Sequence, residues 1–572
     1  MARPLDTVSE GAERVALGAR AHGLWLVEAL ERYAVVVLVL LAASGFALRA
    51  AGVSEVGFAE DEINKLEAVR DYARGRIAAN AEHPMLMKNL IFVSTRAAAA
   101  WNAFAPEAAR VTDEAALRLP NILCGALTVF PLFLLTAVFF GRRTGLVAAA
   151  LWAFGINAVT YNRVAKEDTL LVFFMLWAFY FYVRAKAASG FEVKEKRRNY
   201  VLSGVAFGLM LASKYFPHYF GLNMLYHHHV KLRRREPDEP RGRTPRLFYF
   251  VTAAAFLLVN PAILLPETWR YLSAYSSESL LTHTGYLMGE TLYPNVMSAT
   301  PFGGTPVYFY LLFLFIKVPL PVVAALAAGL WVCARRWREP GPAFLLLMFL
   351  LWVVPYSLVG AKWLRYALSL MPFVYMIAAV GVVATVKACA GWASSTRSPR
   401  GNLAWWATGA AMLAAFVAAP AWIAFKSRPH FALYTNALAA ERAGYFFPHD
   451  EFYDDGLREA VRYVAAHAPP GATVAHETPG VVRYYLEKFG RTDLRSRIIS
   501  DPAFDATAER EPAFFILQRG RTYFENRDEF EALRRTAEKR HEVTVRGVSA
   551  AEVYANAPAS GSARATRSGP AP

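Results

Sequence analysis

The sequence predicts a mainly α-helical, multi-pass membrane protein with about eleven transmembrane helices and a small C-terminal α/β domain. Three observations predict it. Hydrophobic residues fill 55% of the 572 positions and charged residues only 19%, where a soluble domain carries about a quarter charged residues. The apolar residues come in blocks, among them Tyr33 to Leu48, Leu247 to Pro266 and Phe344 to Val359, near the ~17–25 residues that a helix needs to cross the hydrocarbon core. After Lys426 the composition changes, and short apolar strands alternate with amphipathic stretches. Ordinary cytosolic enzymes and disordered chains are excluded.

Taken in order, residues 1–32 are mixed in charge (Arg3, Asp6, Glu10, Glu13, Arg14, Arg20) and too long for a secretory n-region, so the first span reads as a retained anchor. Spans are expected near 33–52, 117–140, 145–160, 168–184, 200–213, 216–230, 247–266, 306–333, 342–360, 365–388 and 403–425. With the N-terminus inside, the cytoplasmic loops become 141–145, 184–199, 231–246, 335–341 and 387–400, holding two, six, seven, three and three Lys or Arg. The opposite short connections carry only Arg163 and Lys166, Lys214, and Lys362 and Arg365. The positive-inside rule therefore holds loop by loop. It also accounts for the formal charge of +16 without nucleic acid as a partner. Cys124, Cys333 and Cys389 lie in or beside apolar blocks and imply no disulfide framework.

Three longer segments fall outside: 53–116, 267–305 and the region after Lys426. In the first, Leu66 to Arg76 and Met85 to Phe104 are amphipathic and suit helices along the membrane surface. The C-terminal region alternates expected helices (Gly456 to His467, Val481 to Phe489, Tyr523 to Lys539) with expected strands (Thr473 to His476, Ser496 to Ile499, Ala513 to Leu517, Val543 to Val545). The domains implied are a cytoplasmic segment 1–32, a transmembrane domain 33–426 with external loop 53–116, an external α/β domain 427–557, and a disordered tail 558–572 of small, polar and basic residues. No internal repeat is visible, which disfavours a transporter built from two halves.

Candidate chemistry collects on the outer face. Glu60-Asp61-Glu62 follow the first span, where a carboxylate could act as general base toward a hydroxyl; acids starting a surface helix and complementing its N-terminus give the plainer account. His83 and Lys88 lie in EHPMLMKNL, where Lys88 could pair with a lipid phosphate or simply snorkel to the interface. Glu167 and Asp168 stand at the outer end of the fourth span, and Asp168-Thr169 would serve equally as a helix cap. Lys214, Lys362 and Arg365, with Lys317 inside an apolar span as a weaker fourth, are cations of a kind that is costly near a bilayer. Together with two acidic sites they suggest a pocket for an anionic head group. His227-His228-His229 look like a metal cluster, but adjacent helical residues point in different directions.

On these segments the chain resembles the GT-C superfamily of integral-membrane glycosyltransferases, and within it the bacterial relatives of protein O-mannosyltransferases and of the lipid A aminoarabinose transferase. The resemblance is carried by Asp61-Glu62 with the following VRDYARG helix, HPMLMK at 83–88, RLPNILCGALTV at 118–129, KEDTLLVFF, ASKYF, VYFYLLFLFIKVPLP, KWLRYALSLMP and RPHFALYTNALA at 428–439. Their order and spacing over roughly 33–440 make it specific. Ile63-Asn64-Lys65 stand where the family has an aromatic residue, and Met85 and Met87 replace a proline and a glycine of the mannosyltransferase segment.

The resemblance implies a GT-C fold and a polyprenyl-phosphate sugar donor in the outer leaflet of a bacterial plasma membrane. The acceptor would be a protein, lipid or glycan hydroxyl. Asp61 would be the base of an inverting displacement, with Glu62 beside it. Lys88, Lys214 and Arg365 would hold the donor phosphate, and His83, Glu167 and Lys362 would support the site. Asp168 would orient the acceptor or help hold a divalent cation, the one cofactor left open; no metal ligand set is assigned. Two other classes share some of these features: a non-catalytic carrier or flippase for a lipid-linked glycan, which would need no outer acids, and a lipid-linked oligosaccharide ligase.

Overall fold

The computed structural model describes residues 32–189, 191–215, 245–277, 283–299, 302–395, 409, 411–412, 414–440, 442–505 and 512–556. The span expected at 216–230, the triple histidine, the N-terminal segment, the tail 558–572 and some of the span at 403–425 lie outside them. The described chain divides into two compact units.

The first unit comprises residues 1–56, 64–281 and 294–443 and is helical. Among the described residues four helical stretches are long and apolar enough to cross a membrane: Glu107–Phe140, Asp168–Ala187, Pro340–Leu358 and Met371–Cys389. A fifth forms if Arg142–Phe154 and Ile156–Asn162, bent by 54° at Gly155, count as one broken span. Shorter apolar helices occupy Ala34–Ala50, Arg246–Val259, Leu320–Arg335 and Ala414–Lys426. Two expected spans differ in form. The one at 247–266 stops at Val259, because Asn260-Pro261 cannot continue a helix, and a new helix runs Pro266–Ser276. The one at 306–333 is two helices, Phe309–Lys317 and Leu320–Arg335, separated at Val318-Pro319.

Local chemistry explains the breaks. A helix ending at Phe154 leaves its last carbonyls without partners. Arg49, buried on Ala34–Ala50, donates to two of them, Ala153 O at 3.0 Å and Trp152 O at 3.1 Å, and to Asn162 Oδ1 at 3.0 Å. In Asp113–Leu127, Thr112 caps the N-terminus by accepting from the Ala115 N–H. Pro120 inside that helix removes the N–H that would reach Ala116, and Ser94 Oγ donates to the Ala116 carbonyl at 2.6 Å in its place.

The second unit comprises residues 57–63, 282–293 and 444–572. Its sheet has five strands, β3 (Thr473–His476), β4 (Arg495–Ile498), β5 (Ala513–Gln518), β6 (Glu538–Val545) and β7 (Val548–Ala555), in the order β4-β3-β5-β7-β6. β3 runs parallel to β4 and β5, while β7 runs antiparallel to β5 and β6. The helix expected over Tyr523 to Lys539 is shorter, Arg527–Thr536, and the chain turns directly into β6. Phe515, Leu517, Phe530, Leu533 and Tyr554 build the core beside the sheet. A hairpin of β1 (Gly285–Met288) and β2 (Thr291–Pro294) comes from the segment between the seventh and eighth expected spans.

The segment 53–116, expected from loop charge to be external, holds two helices, Glu60–Tyr72 and Met85–Asn102. Residues 57–63 are bound into the second unit. The Phe58 N–H donates to Tyr485 Oη at 2.8 Å, and the Phe58 ring meets that of Tyr484 edge-on at 5.2 Å.

Candidate active site

The acidic triplet opens the helix Glu60–Tyr72, and its members do three different things. Glu62 is fully buried and accepts from the Ala59 N–H at 3.1 Å. That is the reciprocal arm of a capping box, so Glu62 fixes the helix start. Glu60 pairs with Arg521 at 2.8 Å. Asp61, half-buried, accepts a hydrogen bond from the phenol of Tyr453 at its Oδ2. All of these contacts lie within the second unit.

The other expected residues belong to the first unit. Glu167 is the residue before the helix Asp168–Ala187, and its side chain makes no capping bond there; Asp168 is the first helical residue rather than the cap. The connection 163–167 is held by Asn121, whose Nδ2 donates to Val164 O at 2.5 Å and Lys166 O at 2.7 Å. Asp168 Oδ1 pairs with Lys214 at 2.7 Å. Lys214 lies 4.5 Å from the Tyr366 ring centre, and Arg365 lies 5.6 Å from the same ring. Lys214, paired with Asp168, and Arg365, the neighbour of Tyr366 in sequence, thus share one aromatic ring. Burial pulls the Lys214 ammonium below its ordinary value, and Asp168 opposes that pull.

Beside this group, Glu167 pairs with Lys65 at 2.7 Å and stands 3.8 Å from Lys166. Burial alone would raise the Glu167 carboxyl, but His83, Lys65 and Lys166 outweigh it and hold the group well below the usual range. Lys88 is buried, and its ammonium donates to three backbone carbonyls, Ala79 at 3.2 Å, Asn80 at 2.6 Å and His83 at 2.9 Å. An ammonium has three N–H groups, so Lys88 in this state fastens the 79–83 turn. Burial, with Lys65 nearby, pulls its pKa to about 7.

Lys362 and Lys317 are tied into the backbone: Lys362 donates to Thr305 O at 2.6 Å and Lys317 to Ala432 O at 2.7 Å. Among the described residues no three His, Cys, Asp or Glu side chains gather to hold a metal ion. Asp168 is already in contact with an ammonium, so the described residues do not fit a divalent cation. Sequence reasoning passed over Lys65, Asn121, Tyr366, Tyr453, Asp454 and Arg521. Tyr366 adjoins Arg365 and Asn121 lies in a quoted motif, but nothing in the sequence links Tyr453 to Asp61 across nearly four hundred positions.

Paired charges buried beside apolar helices are costly and mark a candidate functional site. Comparison with known proteins narrows the class. Residues 107–272 match the family of dolichyl-phosphate-mannose-protein mannosyltransferases. Among solved structures, the chain is similar to ArnT from Cupriavidus metallidurans in the apo state, with a TM-score of 0.51 and 16% identity, over 92% of this chain and 98% of that one. It is also similar to ArnT bound to undecaprenyl phosphate (TM-score 0.47, 16% identity, 91% of this chain and 98% of that one). A third likeness is to the oligosaccharyltransferase AglB from Archaeoglobus fulgidus (TM-score 0.45, 11% identity, 81% and 64%). Comparison with curated protein sequences gave no match. The first of these likenesses shows the fold alone, which is similar to that of ArnT. Function must come from the site.

Proposed function

We propose that this protein transfers a sugar from a polyprenyl-phosphate donor to an acceptor hydroxyl at the outer face of a bacterial plasma membrane. The observation that carries the reading is the grouping of Asp168, Lys214 and Arg365 on Tyr366, within the ArnT-like fold. Two cations against one aromatic ring suit a phosphate, which accepts charge-assisted hydrogen bonds. The family matched by residues 107–272 is named for a dolichyl-phosphate donor, which supports the same donor class. In this reading Lys214 and Arg365 hold the phosphate, and Lys88, expected from the sequence to join them, instead fastens the 79–83 turn with all three of its N–H groups. Glu167, His83 and Lys362 keep the surrounding backbone in place.

Asp61 accepts the proton of the acceptor hydroxyl as that oxygen bonds to the anomeric carbon. The bond from the anomeric carbon to phosphate oxygen breaks, and its electron pair leaves with the lipid phosphate. Configuration inverts, because attack comes from the face opposite the leaving group. Glu62 holds the helix start from which Asp61 projects, and Asp168 orients Lys214. The transmembrane domain is assigned to 33–426, and 427–557 form an external domain on the same side as the loop 53–116.

The test is transfer from a synthetic polyprenyl-phosphate sugar by purified protein in detergent, against a panel of lipid, peptide and glycan acceptors. Asp61→Asn should lower turnover by about 10²–10⁴-fold, the usual worth of one general base, with donor binding retained. Lys214→Ala and Arg365→Ala should raise the donor KM. Normal turnover by Asp61→Asn removes Asp61 as the base, and unchanged donor KM in both cation variants removes the phosphate site.

A further inference from the structure

The loop Phe452 to Gly456 in the second unit has an unusual backbone. Tyr453 and Asp454 both adopt left-handed conformations, with φ of 46° and 66°. Side chains rarely accept this region, and two in succession persist only where the surroundings over-determine them. Here the surroundings supply four hydrogen bonds to one side chain. The buried Asp454 carboxylate accepts from Arg521 Nε at 2.7 Å, from Arg521 Nη2 and from Gln518 Nε2 at 3.2 Å. It also accepts from the Glu60 backbone N–H at 2.9 Å. Arg521 in turn reaches Glu60 at 2.8 Å and Tyr523 Oη at 3.1 Å. Asp454 therefore pins the loop to β5, to the following turn and to the first residue of the Glu60–Tyr72 helix. The outcome is that the phenol of Tyr453 donates to Asp61 Oδ2.

We infer that Tyr453 is a positioning residue for Asp61, set in place by the Asp454–Arg521 pair, and that the C-terminal segment of the second unit thereby completes the base. The inference rests on the reading of Asp61 as base given above. A carboxylate on a helix can turn about its side-chain bonds; a phenol fixed by a strained loop holds one oxygen and so sets the plane in which the other meets the acceptor hydroxyl. The bond also favours the ionised carboxylate, the form that a base requires. Among the described residues, Glu60 and Glu62 flank Asp61 on its own helix, the Asp454–Arg521 pair binds Glu60 beside it, and the His449 ring lies 6.5 Å from that of Tyr453. Negative neighbours disfavour ionisation and positive ones favour it.

The experiment is the pH profile of kcat for the full-length protein with the synthetic polyprenyl-phosphate sugar, in wild type, Tyr453→Phe, and a protein carrying difluorotyrosine at position 453. A base works deprotonated, so activity falls as pH drops through its pKa. Tyr453→Phe keeps the ring and removes the donor. Its acid limb should move up by about one pH unit, the worth of one hydrogen bond to a charged group. Its plateau kcat should fall about tenfold, with donor KM unchanged. Difluorotyrosine, a more acidic and stronger donor, should move the limb down. If both limbs coincide with wild type while Asp61→Asn is inactive, Tyr453 does not position the base. If Asp61→Asn turns over normally, the base assignment itself has failed, and this inference with it. A Tyr453→Phe protein that loses activity with no limb shift and no loss in thermal stability also overturns it, since the bond would then not act on the carboxylate.

Discussion

Asp454 carries two penalties at once, a left-handed backbone and a buried charge. The first costs about 1–3 kcal/mol. The second is met by Arg521: burial alone would raise the carboxyl, and the guanidinium, with the Glu60 N–H, holds it below its ordinary value instead. Among the described residues Glu477 forms no ion pair, and Arg521 and hydrogen bonds from Asn526 and Ser500 offset its burial only in part. It is buried after β3, accepts from Ser500 Oγ at 2.7 Å, and burial raises its pKa to about 7. A carboxyl whose folded pKa lies above its unfolded value binds more protons in the folded state. Stability must therefore fall as pH rises from about 4.5 to about 7. Neighbouring His476, buried and held to about 3, acts oppositely below about 6.5, because it resists charging. The two effects offset each other in the wild type, so the comparison that isolates Glu477 is with Glu477→Gln. The variant's advantage in unfolding free energy should grow across pH 4.5–7 to about 3 kcal/mol. Parallel stability curves for the two proteins would show that Glu477 is ionised normally.

At the scale of elements, the broken span shows how sequence and packing share the work. Gly155 separates Arg142–Phe154 from Ile156–Asn162. A Cβ there would lie 2.2 Å from Tyr375 Oη and 2.4 Å from Leu151 O, closer than atoms can approach. Gly155→Ala should therefore cost about 1–3 kcal/mol through overpacking, read as a lower thermal midpoint in detergent. An unchanged midpoint would mean that the two helices can move apart without loss. The break was not legible beforehand: periodicity gives 145–160 as one apolar run, and one glycine in such a run is common in membrane helices. Pro319 is different: a proline inside an apolar run is itself a mark of a helix break, although 306–333 reads as one span by length, and it separates Phe309–Lys317 from Leu320–Arg335. The strands β3 and β5 were legible because short apolar runs bounded by turn residues mark them, while β4, Arg495–Ile498, offered only the apolar pair Ile498-Ile499 at its end. β7 was not, since Val548–Ala555 holds three alanines among its eight residues, and it becomes a strand by pairing with β5 and β6. The site divides the same way. Asp61, Asp168, Lys214 and Arg365 stood out as charges beside apolar blocks. Tyr366 and Tyr453 did not, because a tyrosine among many aromatics carries no signal until its neighbours in space are known.

For the whole molecule, the assignment of sides is the premise on which the chemistry stands, and it rests on loop charge. The basic loops are proposed to face the cytoplasm, held there by the energetics of insertion and by anionic lipids. The loop 53–116 and the C-terminal unit are then outside, where a lipid-linked donor and an acceptor could meet. One internal consistency supports this placement: residues 57–63, at the start of the first loop, belong to the same compact unit as residues 444–572, so the two segments must share a side. Cysteine labelling with an impermeant reagent tests it, after Cys124, Cys333 and Cys389 are replaced. Ala503→Cys, exposed beyond β4, should label in spheroplasts. Val193→Cys, 64% exposed at the start of the helix Val193–Ser213, should label only after lysis. The reverse pattern would place Asp61 on the cytoplasmic side and remove an outer-leaflet donor from consideration. Labelling of both in intact spheroplasts would require an even number of crossings between the two positions, and hence one span more or fewer than the loop charges imply.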